Sequence, residues 1–320
     1  MRENLRALLG FLAAGAMLPA CGGLQNATPQ SVEAQSRVRR ASGSYGDLIY
    51  VSTSKAIVVL AYPGLKIVQS LPVSYAYSDI CSDPKNGNVY IVEKTQVVVY
   101  AHGGTSPIGS LGPPLSNGYM QACSVDPLTG NLAVSFNMYG YKQGAILVYP
   151  SGQGTPTVYA DKKLSSYLYT TYDDSGDLFF GAYGTKGNWR IEKLVVAKGR
   201  FSGIRTNIGF GLYKIQWDGS YIVFEEYFGK GHGSVVYQLQ ITGNYGTIIN
   251  QMNFFDAGSP SNFAVDFGAL FNALGQVKNH RLGGIGGWSY PSGGDPFRKR
   301  FGVSKGPNDK IIDMAFSTAP

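Results

Sequence analysis

Two acids, a lysine, two amides and a hydroxyl, namely Asp79, Gln121, Thr170, Lys214, Asn262 and Asp313, stand at corresponding places in successive segments of the chain. Such a set can orient a polar ligand, a sugar or a peptide, through hydrogen bonds and charge. Just upstream of these residues come Tyr75, Tyr77, Tyr119, Tyr167, Tyr169, Phe210 and Tyr213. Aromatic bodies with polar tips suit a binding surface. The same pattern has a structural reading, in which the polar groups line a wet channel and the tyrosines pack between neighbouring units.

Other chemistry is sparsely represented. The three histidines, His102, His232 and His280, fall in turns at spacings that no metal site uses, and read as exposed loop residues. The Gly-rich turns hold no Walker lysine motif and no strand-to-helix context, and no Gly-x-Ser-x-Gly elbow precedes a helix. Glu225 and Glu226 are neighbours on one strand and point to opposite faces, so they cannot form a catalytic carboxylate pair by themselves. They read as solubilising charge at the edge of a sheet. Cys81 and Cys123 occupy nearly matching positions and could pair in an exported protein, or serve as two small buried apolar residues. Pairing needs Cα atoms within about 7 Å. No catalytic residue, metal site or cofactor is expected.

What must position the polar set is a repeat. Cys81-Ser-Asp-Pro-Lys-Asn-Gly-Asn88 returns as Cys123-Ser-Val-Asp-Pro-Leu-Thr-Gly-Asn131, each followed by two runs rich in β-branched and aromatic residues and a Gly-rich turn. That is the chemistry of consecutive antiparallel strands. The second strands begin at Asp47, Asn88, Asn131 and Asp177, in steps of 41, 43 and 46 residues, and continue at Ser220 and Gly268. Third strands line up at Ile57, Val97, Ile146, Ile191, Val235 and Gly286.

A period near this length with four strands per unit is that of β-propeller blades, whereas a sandwich shows no fixed long period. The expectation is an all-β, six-bladed β-propeller over residues 45–320. Blade one lacks a first strand at its start, and Lys310–Ser317 is a strand without a blade, so the C-terminal strand is expected to pair into the first blade and close the ring. Residues of the polar set then crowd around one mouth of the channel, where the innermost strands begin. That mouth, rather than the side bearing the Asp-Pro and Gly-Asn turns, is the expected contact face. Blade six is the weakest copy; a short or bent strand is expected there, with a small helix over residues 267–274 as the alternative.

The N-terminus is a targeting segment. Arg2 and Arg6 precede an apolar run from Ala7 to Leu18, too short to span a bilayer, and residues 1–20 read as a signal peptide. Leu18-Pro-Ala-Cys21 resembles the bacterial lipobox, which implies cleavage before Cys21, lipidation of that cysteine and, with Gly22 following, an outer-membrane or cell-surface location. Residues 21–44 are polar and without periodicity, a tether. A flexible chain of this length spans roughly 26 Å.

With its signal, tether and repeats, the chain resembles bacterial lipoproteins carrying six-bladed propellers of the NHL-repeat and TolB-like type, over about residues 45–317. The resemblance implies a membrane-anchored extracytoplasmic protein that binds a small molecule, a glycan or a protein partner. It also implies a runner-up, a metal-dependent lactonase-like hydrolase or lyase using the central channel, since such relatives hold a divalent cation with Glu, Asp and Asn side chains from several inner strands. Composition agrees with the fold, with 43 glycines, 22 tyrosines and charged residues at only 15%. The net charge of +7 is spread thinly, with small clusters at Arg37–Arg40 and Arg298–Arg300 and no basic stripe of the kind nucleic acid needs. A monomer is expected.

Overall fold

The computed structural model describes residues 46–320 apart from 75–78, 141–142, 209–213, 227–233, 256–262, 267, 275–282, 305 and 307–308. The signal, Cys21 and the tether lie outside the described residues, as do Tyr75, Tyr77, Phe210, Tyr213, Asn262, His232 and His280.

Six four-stranded antiparallel sheets follow one another along the chain. Their innermost strands are Ile311–Ser317 in blade one, then Asp79–Ser82, Gly118–Val125, Leu164–Tyr172, Ile215–Trp217 and Ala264–Asp266 in blades two to six. The protein is a six-bladed β-propeller. The C-terminal strand closes the ring as expected, pairing Ile311–Ser317 with Leu48–Thr53 from Leu48↔Ser317 to Thr53↔Ile311. Blade six is formed of strands, with Ala269–Ala273 where the helix was the alternative, and its inner strand has only three residues. Gly268, at φ +72°, turns the chain between the two.

Apolar packing explains the sequence signal. Each of six buried clusters is shared by two neighbouring blades, so every junction has its own core. In Leu48–Thr53, Leu48 and Tyr50 join the cluster with blade two while Ile49 and Val51 join the cluster with blade six. A second strand covered on both faces must be apolar at consecutive positions rather than alternating. All six of its residues are buried.

The recurring Asp-Pro turns have a local cause. Asp83, Asp126, Asp173 and Asp218 accept a hydrogen bond from the backbone N–H two residues on, at 2.8, 2.8, 2.9 and 2.9 Å. These are Asx turns, and Gly87, Gly130 and Gly176 then take positive φ to lead back into the second strand. The repeated aspartates are therefore turn-formers.

Two expectations change. Glu225 is fully buried rather than at an edge, and its Oε1 accepts a hydrogen bond of 3.2 Å from the buried Asn272 of blade six. His102 is only half-exposed: its Nδ1 lies 2.7 Å from Ser317 Oγ and its Nε2 3.1 Å from the Gly46 carbonyl, linking the closing strand to the start of the propeller. The cysteine question resolves as a bond. Cys81 and Cys123 form a disulfide with Cα atoms 5.8 Å apart, across the inner strands of blades two and three and over a sequence separation of 42. A loop of that length contributes about 2–4 kcal/mol of stability.

Candidate functional site

The inner strand of each blade presents an unpaired edge to the channel, and its N–H groups need partners there. Side chains of the preceding blade supply them. Asp313 Oδ2 accepts from Ile80 N at 3.0 Å, Asp79 Oδ2 from Cys123 N at 2.9 Å, and Ser124 Oγ from Tyr172 N at 2.9 Å. Thr171 Oγ1 accepts from Trp217 N at 2.8 Å, and Gln216 Oε1 from Val265 N at 3.0 Å, with Gln216 Nε2 donating to the Val265 carbonyl at 2.7 Å. Among the described residues, five of the six junctions thus carry a bond running in the same sense around the axis. The sixth, from blade six to blade one, rests on Ala264, Phe271, Met314 and Phe316 and on Arg298, which donates to the Pro63 carbonyl.

Three of the expected polar residues meet at the centre. Lys214 Nζ forms an ion pair with Asp313 Oδ1 and donates to the Met314 carbonyl at 3.1 Å. Asp79 lies against Asp313, and all three side chains are buried. Burial, and then the Asp313 charge, hold the Asp79 carboxyl well above the usual carboxylate range, although Lys214 and the Cys123 N–H pull the other way. Two acids and a lysine from blades one, two and five thus share one buried cluster, in which the Asp79 carboxyl is pushed towards its protonated form. Within this cluster the two acidic side chains are engaged by an ammonium and by backbone N–H groups, so they fit the cation they already hold rather than a divalent metal. Among the described residues no group of three His, Cys, Asp or Glu side chains is arranged to hold a metal ion.

A cavity of about 430 Å³ runs along the axis from Asp79, Thr170 and Lys214 to the turn residues Pro84, Pro127, Asp174 and Gly219. Thr170 is buried there, with no hydrogen-bond partner for its Oγ1 among the described residues. Tyr169 lines the same cavity while packing into the apolar cluster of blades four and five. Tyr167 is core: it is fully buried, stacked on Phe180 at 5.5 Å, and its hydroxyl accepts from Asp161 N at 2.7 Å. Desolvation pushes that phenol up to about 12.

At the end where the inner strands begin, Tyr119 and Gln121 come together in a second cleft. It holds about 600 Å³ between blades three and four and is completed by Ser165, Ser166, Leu168, Tyr183 and Gly187. Tyr139 stands beside Tyr119 on the side of blade two, with the two rings 5.9 Å apart and the Lys94 ammonium 5.2 Å from the Tyr139 centroid. Tyr139 and Tyr183 are 47% and 39% exposed, whereas Ser166 Oγ is buried with no partner among the described residues. Gln121 Oε1 accepts from Asn137 Nδ2 at 2.9 Å. Sequence reading missed Ser124, Thr171 and Gln216 among the junction bonds, Tyr183 in the cleft and Tyr139 beside Tyr119. Tyr139 lies at the end of the second strand of its blade, where no inner-strand alignment points to it.

No family model matches the chain, and no curated protein matches it. Solved structures do. A protein of unknown function from Bacteroides caccae is 14% identical with a TM-score of 0.60, over 85% of this chain and 99% of that one. A chain of a nidogen/laminin complex is 11% identical with a TM-score of 0.58, over 86% and 99%. A putative TolB from Agrobacterium tumefaciens is 13% identical with a TM-score of 0.54, over 87% and 100%. A luciferin-regenerating enzyme also matches, at 11% identity and a TM-score of 0.54, over 74% and 83%. Likeness at these identities shows the fold, a six-bladed propeller with TolB-like structural neighbours, and fold does not carry function.

Proposed function

We propose that the protein is a non-enzymatic binding propeller of the cell envelope, held on the extracytoplasmic side by lipid on Cys21, that takes a polar ligand at the end where its inner strands begin. The cleft between blades three and four carries this reading. Its volume is that of an ordinary small-ligand site. Exposed Tyr183 in the cleft and Tyr139 beside Tyr119 offer flat aromatic faces, and the Ser166 hydroxyl, without a partner among the described residues, belongs to the same cleft wall. A glycan or a short peptide meets both demands. Channel residues Asp79, Lys214 and Asp313 act behind this face, by fixing the inner strands that present it.

Arrays of glycans and of peptides, probed with the purified protein, identify the ligand class. Tyr139→Ala and Tyr183→Ala should then each weaken binding by roughly tenfold, the effect of one lost aromatic contact. Ligands whose affinity ignores both substitutions would remove the cleft from the proposal. Metal analysis of the same preparation separates binding from the lactonase-like alternative, which needs a tightly held divalent ion.

Anchoring has its own test. Stable attachment takes more than one acyl chain, as lipoprotein maturation at Cys21 supplies. Cys21→Ser should move the protein from the membrane fraction to the soluble fraction; a variant that still sediments with membranes is held by something else.

A further inference from the structure

The rim of blade six differs from the other rims. Its outermost strand, Arg298–Phe301, reads Arg-Lys-Arg-Phe, is exposed at every position and follows Phe297 directly. The other five outer strands, Lys66–Pro72, Pro107–Leu111, Thr157–Tyr159, Arg200–Ile204 and Tyr245–Phe254, carry at most one cation each. Guarding an edge against strand pairing takes a charge or two, and five blades manage with fewer. Three consecutive cations between two phenylalanines exceed that need.

The aromatic rings are seated rather than loose. The facing strand Gly284–Ser289 places Gly284 opposite Phe301 and Gly287 opposite Arg298. With no Cβ at Gly287 and Gly284, the rings of Phe297 and Phe301 lie 3.2 and 3.1 Å from where those atoms would stand. Phe297 also makes an edge contact with Phe271 at 6.3 Å. Both rings nevertheless remain 56% and 36% exposed. A third ring joins them: Phe255 N donates to the Gly294 carbonyl at 3.0 Å, which brings Phe255, 57% exposed, to the same rim.

We propose that this rim docks on an anionic lipid surface. Exposed phenylalanines flanking consecutive Arg and Lys match a surface that carries anionic charge outside and an apolar layer just beneath it, which is what an anionic bilayer offers. The cations meet lipid phosphates and the rings enter the headgroup boundary. Neither the tyrosine cleft nor the lipid on Cys21 enters this argument, so the surface is measured without either.

The full chain carrying Cys21→Ser is sedimented with vesicles of phosphatidylcholine alone and of phosphatidylcholine mixed with phosphatidylglycerol. Binding is expected to the mixed vesicles, to weaken with salt and to be near background on the neutral ones. Lys299→Gln with Arg300→Gln should lower partitioning to mixed vesicles about thirtyfold, and Phe255→Ser should lower it severalfold while leaving the salt dependence in place. The exchange Lys299→Arg with Arg300→Lys keeps the charge and should bind as the parent does, which guards against a folding artefact. Equal binding to both vesicle types, or an unchanged anionic preference in the Gln variant, overturns the proposal. So does a soluble polyanion such as heparin binding as well as the vesicles do, because the rim would then be a general cation patch.

Discussion

Replacing Lys214 with methionine lowers the stability of the propeller by about 3–5 kcal/mol, the cost of leaving a buried carboxylate without its partner. For a domain of this size that is a fall in melting temperature of about 10 °C. Lys214→Met leaves Asp313 with only the Ile80 N–H and the Asp79 carboxyl beside it. Asp79→Asn is expected to behave in the opposite way. Since burial and the Asp313 charge raise the Asp79 pKa, its native carboxyl holds a proton where the unfolded one, near 3.8, has lost it. Asparagine reproduces that neutral form: its oxygen accepts from Cys123 N and its NH₂ donates towards Asp313, so stability stays within about 1 kcal/mol of the parent.

The sign of the pH dependence follows from the same shift. A raised folded pKa means that the native state binds more protons than the unfolded state above the ordinary carboxylate value, so this group's stabilisation is complete at acid pH and is lost as pH rises through the folded value. Asp79→Asn removes that slope. Thermal melts of the parent and both variants from acid to neutral pH check all of this. A Lys214→Met protein as stable as the parent, or an Asp79→Asn protein as damaged as Lys214→Met, would show that the three charges do not form the unit described.

Deleting residues 309–320 should abolish cooperative folding. The lost strand pairs with Leu48–Thr53 and carries Asp313 and the Met314 carbonyl. It also carries Met314 and Phe316 of the core between blades one and six, and Ser317, which bonds to the Gly87 carbonyl at 2.7 Å and to His102. Its removal leaves the inner edge of Leu48–Thr53 unpaired and takes the Asp313 acceptor from Ile80 N. Near-ultraviolet circular dichroism and a thermal melt give the readout, and a synthetic peptide spanning residues 309–320 should restore part of the transition when added in trans. A truncated chain that melts where the parent does would mean that the ring holds without its clasp.

The blade count, the strand starts and the C-terminal closure were legible in the sequence because each rests on a periodic signal. Second strands covered on both faces produce uninterrupted apolar runs, and Asx turns place an Asp at the same point of several blades. What was not legible depends on side-chain direction. Register shifts between Met120 and Cys123 and between Tyr167 and Thr170 change which residue faces which neighbour. Counting positions along the strand therefore picks Gln121 and Thr170, whereas Ser124 and Thr171 make the junction bonds. The disulfide was undecidable for a related reason, since the inner strands of blades two and three are drawn together by the Asp79 to Cys123 N–H contact, which no motif announces. Glu225 reads as surface charge until Asn272, far along the chain, is seen beside it.

The clasp also determines how the domain bears load. Leu48–Thr53 is the first strand of the chain within the propeller, yet it lies between two neighbours, bonded to Ala56–Ala61 on one side and to Ile311–Ser317 on the other. Had the chain begun with an edge strand, tension on the N-terminal segment could peel it away one hydrogen bond at a time. Tension applied along Leu48–Thr53 is instead shared by both ladders in shear, so the bonds must give way together. A pull on the N-terminal end of the propeller is thereby resisted by the far end of the same chain.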